Sequence, residues 1–229
     1  MRFRDIRRIF ALMDYQTASK KEVNSLQIQL TEEEQKTIEE FSEKIDLNDW
    51  AQIAQYGSSG QKKAAALSNY ILEETNDAEL PDVREVLEKL ENITAEFEKT
   101  KFKKQKLKIE KMSIELDKLA DELLLLQDQL IKKNLLLEKL YKKNQLHYKE
   151  LTMYFLAGKK KIEKTSEGDC EQLANKLNDL EVSKMLCMQM AAQIELLKQN
   201  HTKLSEKIQC AVNQTIPLWK NQIVMLLEK

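Results

Sequence analysis

The chain is predicted to be all-α: an elongated helical bundle built on a long antiparallel helical hairpin, with smaller N-terminal helices packed against it. Three observations predict this class. Of 229 residues only 4 are Gly and 2 are Pro, and 6% are aromatic, whereas a sheet protein of this length needs many more turn residues and aromatic or β-branched positions. One third of the chain is charged, with 37 Lys and Arg against 38 Asp and Glu, the mixture expected of solvated helix faces. Between about residues 104 and 165 there is no Pro and no Gly before Gly158, and apolar residues recur at alternating steps of four and three, the spacing of one helix face.

Residues 1–30 read as a weakly ordered basic arm, in which Arg2, Arg4, Arg7 and Arg8 alternate with Phe3, Ile6, Ile9, Phe10 and Met13. Residues 31–229 read as a single elongated helical domain, with short helices over 31–99 and the hairpin over 104–229. Thr31 and Glu34 have the spacing of a capping box, in which the hydroxyl accepts from the amide three residues on and the carboxylate returns to the Thr31 N–H. A helix therefore starts there, with Ile38, Phe41 and Ile45 on one face. Asp46 or Asn48 can cap a second, short helix carrying Trp50, Ile53 and Ala54, and Gly57 suits its left-handed end. A third helix begins at Ser58 or Ser59, with Ala64, Leu67 and Ile71 on one stripe. Pro81 belongs in the first turn of a fourth, whose stripe is Val83, Val86, Leu87, Leu90, Ile93 and Phe97.

The hairpin's first arm follows Met112, Leu116, Leu119, Leu123, Leu126 and Leu130. It continues through Asn134, Leu137, Tyr141, Asn144, Tyr148, Leu151 and Phe155, with a stutter near residue 130 and the two asparagines fixing register. Leu124, Leu125, Leu135, Leu136 and Leu140 are expected to widen the stripe to that of a bundle. Thr165 to Asp169 forms the turn. The second arm runs through Leu173, Leu177, Leu180, Cys187, Ala191, Ile194, Leu197, Leu204, Ile208, Val212 and Trp219, with a bend at Pro217. Arms joined by so short a turn lie antiparallel.

Three stretches carry a family resemblance. The first is Ile45-Asp46-Leu47 followed by Gln55-Tyr56-Gly57-Ser58-Ser59-Gly60-Gln61-Lys62-Lys63. The second runs from Tyr148 to Lys161, and the third from Leu180-Glu181 through Gln189 to Ile194 and on to Thr215-Ile216-Pro217-Leu218-Trp219-Lys220-Asn221-Gln222. In this order they resemble the toxic anion resistance family (TelA/KlaA), whose bacterial members are associated with tellurite resistance. The resemblance spans about residues 31 to 227. It departs from the family pattern at Ala192, where a proline is usual, at the short Ser166 to Asp169 turn, and at the end, where members continue; the chain is expected to be a short or truncated member. The resemblance implies a cytoplasmic, non-enzymatic helical protein of stress or envelope function, without catalytic residues to transfer.

The residues themselves agree with that implication. The longest uncharged runs, such as Ile208 to Trp219, have 12 residues, short of the roughly 20 needed to span a bilayer, so the expected location is cytoplasmic, peripheral at the inner membrane face in the alternative reading. Three unclustered cysteines are expected to be reduced there. Because tellurite reacts with thiols they are the first place to seek chemistry, yet Cys170, Cys187 and Cys210 lie roughly 25 Å and 35 Å apart along one helix, beyond disulfide reach. They read as small core residues, and Met185, Met188 and Met190 as adaptable packing rather than a soft-metal cluster. His147 and His201 would be offset by roughly 21 Å in an antiparallel hairpin, so no metal site is expected. Glycine-rich nucleotide loops, nucleophile elbows and His-x-x-x-His pairs are missing, and no catalytic residue or cofactor is assigned.

Two surface candidates remain. Gly57, Ser58, Ser59, Gly60, Lys62 and Lys63 put a small turn and two cations at a helix N-terminus, where amides and the dipole favour an oxyanion. Lysine clusters at Lys101, Lys103 and Lys104 and at Lys159, Lys160 and Lys161 could meet an anionic membrane surface. A net charge of -1 and a pI near 6.3 argue against nucleic acid. The expected partner is another protein or a second copy of the chain, and the expected function resistance to toxic anions such as tellurite, or to envelope stress, by association rather than catalysis.

Overall fold

A computed structural model describes residues 31–76, 81–100, 106–165 and 170–228. Seven α-helices run through them: α1 (Glu32–Glu43), α2 (Trp50–Gln55), α3 (Ser58–Asn76), α4 (Pro81–Thr100), α5 (Lys106–Glu163), α6 (Glu171–Cys210) and α7 (Ile216–Leu227). No strand occurs among the described residues, so the predicted class holds. The basic arm, the Ser166 to Asp169 turn and Lys101, Lys103 and Lys104 lie outside them.

Local sequence sets most boundaries. Thr31 accepts from the Glu34 amide at 3.3 Å while the Glu34 carboxylate accepts from Thr31 N–H at 2.9 Å, the reciprocal capping box. The α2 cap is Asp49, accepting from Gln52 N–H at 3.0 Å, and neither Asp46 nor Asn48 as expected. The Asp46 carboxylate is occupied earlier, accepting from Asn48 N–H at 2.9 Å. Gly57 takes φ +67°, the left-handed conformation that ends α2 and reorients the chain into α3.

The described residues form two compact units, one of residues up to Ile71 with Leu140–Ile194, the other of residues from Leu72 to Lys139 with those from Glu195 on, and α5 contributes to both. In the first, Gly158 lies against Leu177 and the Asn144 side-chain amide donates to the Cys187 carbonyl at 2.7 Å. Partners on α6 rise in number as those on α5 fall, so the two helices are antiparallel. The second unit repeats the relation: Glu138 pairs with Lys198 at 2.6 Å, Asn134 with His201 at 3.0 Å, and Gln127 donates to Ser205 at 3.1 Å. Both register asparagines thus reach across the hairpin.

In the second unit Val83, Val86, Leu90, Ile93 and Phe97 of α4 pack with Met112, Leu116, Leu119, Leu123, Leu126 and Leu130 of α5 and with Ile208 of α6 and Ile216 and Ile223 of α7. Phe97 meets Trp219 edge to face at 5.1 Å, a favoured arrangement of ring quadrupoles. The expected widening of the stripe is only partly right. Leu140 is buried and Leu136 half-buried, but Leu124, Leu125 and Leu135 are 48%, 60% and 61% exposed, because they project from the face of α5 opposite the core.

Pro217 acts through the turn before it. Residues Ala211–Thr215 form a π turn, and Ile216 N–H donates to the Ala211 carbonyl five residues back. Proline lacks an N–H and its ring collides with the carbonyl four residues earlier. Widening that turn relieves the collision while Pro217 sits in the first turn of α7, where no donor is required.

Candidate functional site

The sequence-selected turn sits in the first unit, where α2 and α3 meet α5 and α6. Its glycines are contact points. A Cβ on Gly57 would lie 2.6 Å from a Leu180 methyl, a clash, and one on Gly60 3.1 Å from a Leu151 methyl, a crowded contact, so the turn lies close against both long helices. Ahead of it, Tyr56 donates to the Tyr154 carbonyl at 2.7 Å and meets the Tyr154 ring edge-on at 5.3 Å, while Phe41 stacks on that same Tyr154 ring at 5.4 Å. Burial pushes the Tyr56 phenol well above its usual range.

The polar side chains of the turn are engaged with the same helices. Lys63 donates to both Glu150 carboxylate oxygens, at 2.9 and 3.1 Å. Gln61 donates to Ser183 at 3.1 Å and accepts from Lys176 at 2.9 Å, and Ser58 donates to the Ala54 carbonyl at 3.3 Å. Lys62 and Ser59 are exposed. The anion beside this helix start is therefore the chain's own Glu150, and a soluble oxyanion reaching for Lys63 would compete with it.

The second lysine cluster is likewise tied to the first unit. Lys160 pairs with Glu39, whose carboxyl is held below its ordinary range by the hydrogen bond and charge of Lys160 and by the charge of Lys164. Lys159 is exposed and Lys161 half-buried. Lys149 pairs with Glu34, joining the α1 capping box to α5 and lowering the Glu34 carboxyl. A cation the sequence reading passed over, Lys184, lies 4.4 Å from the Phe155 ring centroid, and burial lowers its ammonium pKa. The clue was Phe155 on the α5 seam, but no local pattern ties it to a lysine on the opposite arm.

Thiols and imidazoles are dispersed. Cys187 is fully buried and its thiol is pushed up to about 11 by burial, which suppresses the thiolate at neutral pH. Cys170 is half-buried and Cys210 exposed, its thiol 3.6 Å from the Gln214 side-chain oxygen. His201 contacts Asn134, and His147 lies elsewhere on α5. No cluster of three or more His, Cys, Asp or Glu suited to a metal ion occurs among the described residues.

Both histidines are held below their ordinary pKa, chiefly by burial; Lys133 adds to the effect at His201, and at His147 Lys143 and Lys63 oppose Glu150. The neutral ring is thus favoured in the folded chain. Below about pH 6.5 the unfolded imidazoles bind protons that the folded ones resist, so stability present above that pH is lost as pH falls toward the folded pKa. A lower thermal midpoint at pH 5 than at pH 7.5 is expected, flattened when both histidines are replaced by Gln; scanning calorimetry across that range checks it.

The first two quoted stretches and the third from Leu180 to Ile194 lie in the first unit, and Thr215 to Gln222 lies in the second; sequence comparison matches them all. A profile of the toxic anion resistance protein (TelA) family matches residues 38–178 and 169–228, most of the chain. The chain belongs to the toxic anion resistance family. A TelA-like protein of Staphylococcus epidermidis is 28% identical over 247 residues, covering 88% of this chain and 66% of its own length. The Bacillus subtilis protein YaaN is 32% identical over 125 residues, 43% of this chain and 32% of its own. The chain thus spans just under two thirds of the staphylococcal TelA relative. No solved structure matches. Within the family match lie the Gly57 junction, both asparagines and the Pro217 turn, and no described helix is long and apolar enough to cross a membrane.

Proposed function

We propose that the chain contributes to resistance against toxic anions such as tellurite by protein association, without catalysing a reaction itself. The observation that carries this reading is the distribution of its surfaces. Large aliphatic side chains of α5 face solvent, while the Cys187 thiol and the His201 imidazole are sealed in packed interiors. Exposed apolar residues gathered on one helix face mark an interaction site more often than a solvated surface. The Lys63–Glu150 pair supports the same reading, because one of the two lysines at the turn best suited to an oxyanion is already engaged by a carboxylate of the chain.

Tellurite plating of the encoding strain, deleted for this gene and complemented with variants, tests the proposal. A chain carrying Cys170→Ser, Cys187→Ala and Cys210→Ser together is expected to restore tolerance to at least half the wild-type level. Abolished tolerance with a folded, normally abundant triple variant would replace association by thiol chemistry.

A further inference from the structure

The outward face of α5 in the second unit has a charge order that identifies its occupant. Leu124, Leu125, Ile131 and Leu135 are 48%, 60%, 51% and 61% exposed. At about 100° per residue they fall within an arc of roughly 120°, centred roughly 160° away from the stripe of Met112, Leu116, Leu119, Leu123, Leu126 and Leu130. The helix therefore carries one apolar stripe into its own core and a second one away from it.

The charges on that second stripe are segregated by sign. Asp121 and Asp128 lie toward its N-terminal end, Lys132 and Lys139 toward its C-terminal end. Asp128 and Lys132 pair with each other at 2.6 Å with side chains 54% and 71% exposed, so both still face outward. A parallel copy in register would set Asp121 against Asp121 and Lys139 against Lys139. An antiparallel copy with its two-fold axis near residue 130 sets Leu125 against Leu135, Asp121 against Lys139 and Asp128 against Lys132, each contact made twice. Ile131 then lies beside the axis. Such a patch is complementary to itself, as an isologous interface requires, and opposite charges across a helix seam select orientation.

We propose that this face binds a second copy of the chain, forming an antiparallel two-fold dimer centred near residue 130 of α5. The proposal rests on the association reading above and names its partner. Four apolar residues per copy make a seam at the small end of specific interfaces, below roughly 1,200 Å2 in total, so the dimer is concentration-dependent.

Sedimentation equilibrium of the full chain, over a concentration series, tests it. The wild type is expected to dimerise. Leu125→Glu with Leu135→Glu, both on the exposed face, should weaken the dimer at least about a hundredfold by burying charge in the seam, while the circular dichroism spectrum, and the thermal midpoint at concentrations where the wild type is monomeric, stay unchanged. Asp121→Lys and Lys139→Asp should each weaken the homodimer about tenfold. Mixing these two single variants should restore wild-type affinity, because in the mixed dimer every pair at these positions is again of opposite sign. A wild type monomeric up to roughly 1 mM overturns the proposal. So does a dimer indifferent to Leu125→Glu with Leu135→Glu, or a mixture that fails to recover, although a persistent dimer leaves the association reading standing. A monomer whose Leu125→Glu with Leu135→Glu variant loses tellurite tolerance assigns the stripe to a different protein, overturning the second copy alone.

Discussion

Replacing Leu123 by Ala is expected to destabilise the second unit by about 3–5 kcal/mol, whereas Leu125→Ala, two residues on, should change stability by less than about 0.5 kcal/mol. The contrast follows from the helical turn. Leu123 is completely buried, packed into the cluster that holds Val86, Phe97 and Ile208, while Leu125 is 60% exposed. Truncation at 123 loses the transfer free energy of the removed carbons and leaves a cavity that helices pinned by the Gln127–Ser205 and Lys198–Glu138 contacts cannot fully close. Truncation at 125 removes a side chain that water already covers. Urea unfolding followed by Trp219 fluorescence reads this unit, since Trp219 packs on Phe97, while Trp50 is 69% exposed. Equal losses at 123 and 125 would mean that the outward stripe is covered, as a tight dimer would require, and the concentration dependence of the Leu125→Ala effect separates that case from an error in the core.

The same leucine run shows how far sequence reasoning reaches. Period and capping are local, so the Thr31–Glu34 box, the α3 and α4 stripes and the heptad from Met112 to Leu130 were legible. In Leu123-Leu124-Leu125-Leu126 every position is equally apolar, and only the seam's continuation says that 123 and 126 face inward. Nothing local says that 124 and 125 lie uncovered. The α2 cap was misplaced because Asp46, Asn48 and Asp49 are alternative acceptors within four residues, and the choice depends on which is already bonded. Pro217 predicts a disturbed helix by its missing donor, but whether the turn kinks or widens is settled by how Ala211 and Ile216 pack. At the candidate site the glycines and lysines were visible. Their partners were not, because Glu150 lies 87 residues from Lys63 and Ser183 lies 122 from Gln61. An isolated helix start with two lysines reads as an anion site; the carboxylate that engages one of them, Lys63, is a property of the fold.

Gly57→Ala is expected to cost the first unit about 2–5 kcal/mol, from two sources that a second substitution separates. At φ +67° any L side chain bears left-handed strain of about 1–2 kcal/mol. The added methyl would also stand 2.6 and 3.2 Å from the two Leu180 methyls, and Leu180 is fully buried, so it cannot swing away without disturbing its neighbours; such overpacking costs about 1–3 kcal/mol. Leu180→Ala alone should destabilise by about 2–5 kcal/mol. Combined with Gly57→Ala it should give a loss smaller than the sum of the two by about 1–2 kcal/mol, because the new methyl then enters space that Leu180 vacated, while the dihedral strain persists. Urea titration of the four chains closes the cycle. Additive losses would confine the role of Gly57 to its backbone dihedral. A less-than-additive pair makes it also the point where the α2–α3 turn is seated on α6. Small size is then required at Gly57 by Leu180 itself, with no bound anion needed to explain a glycine there.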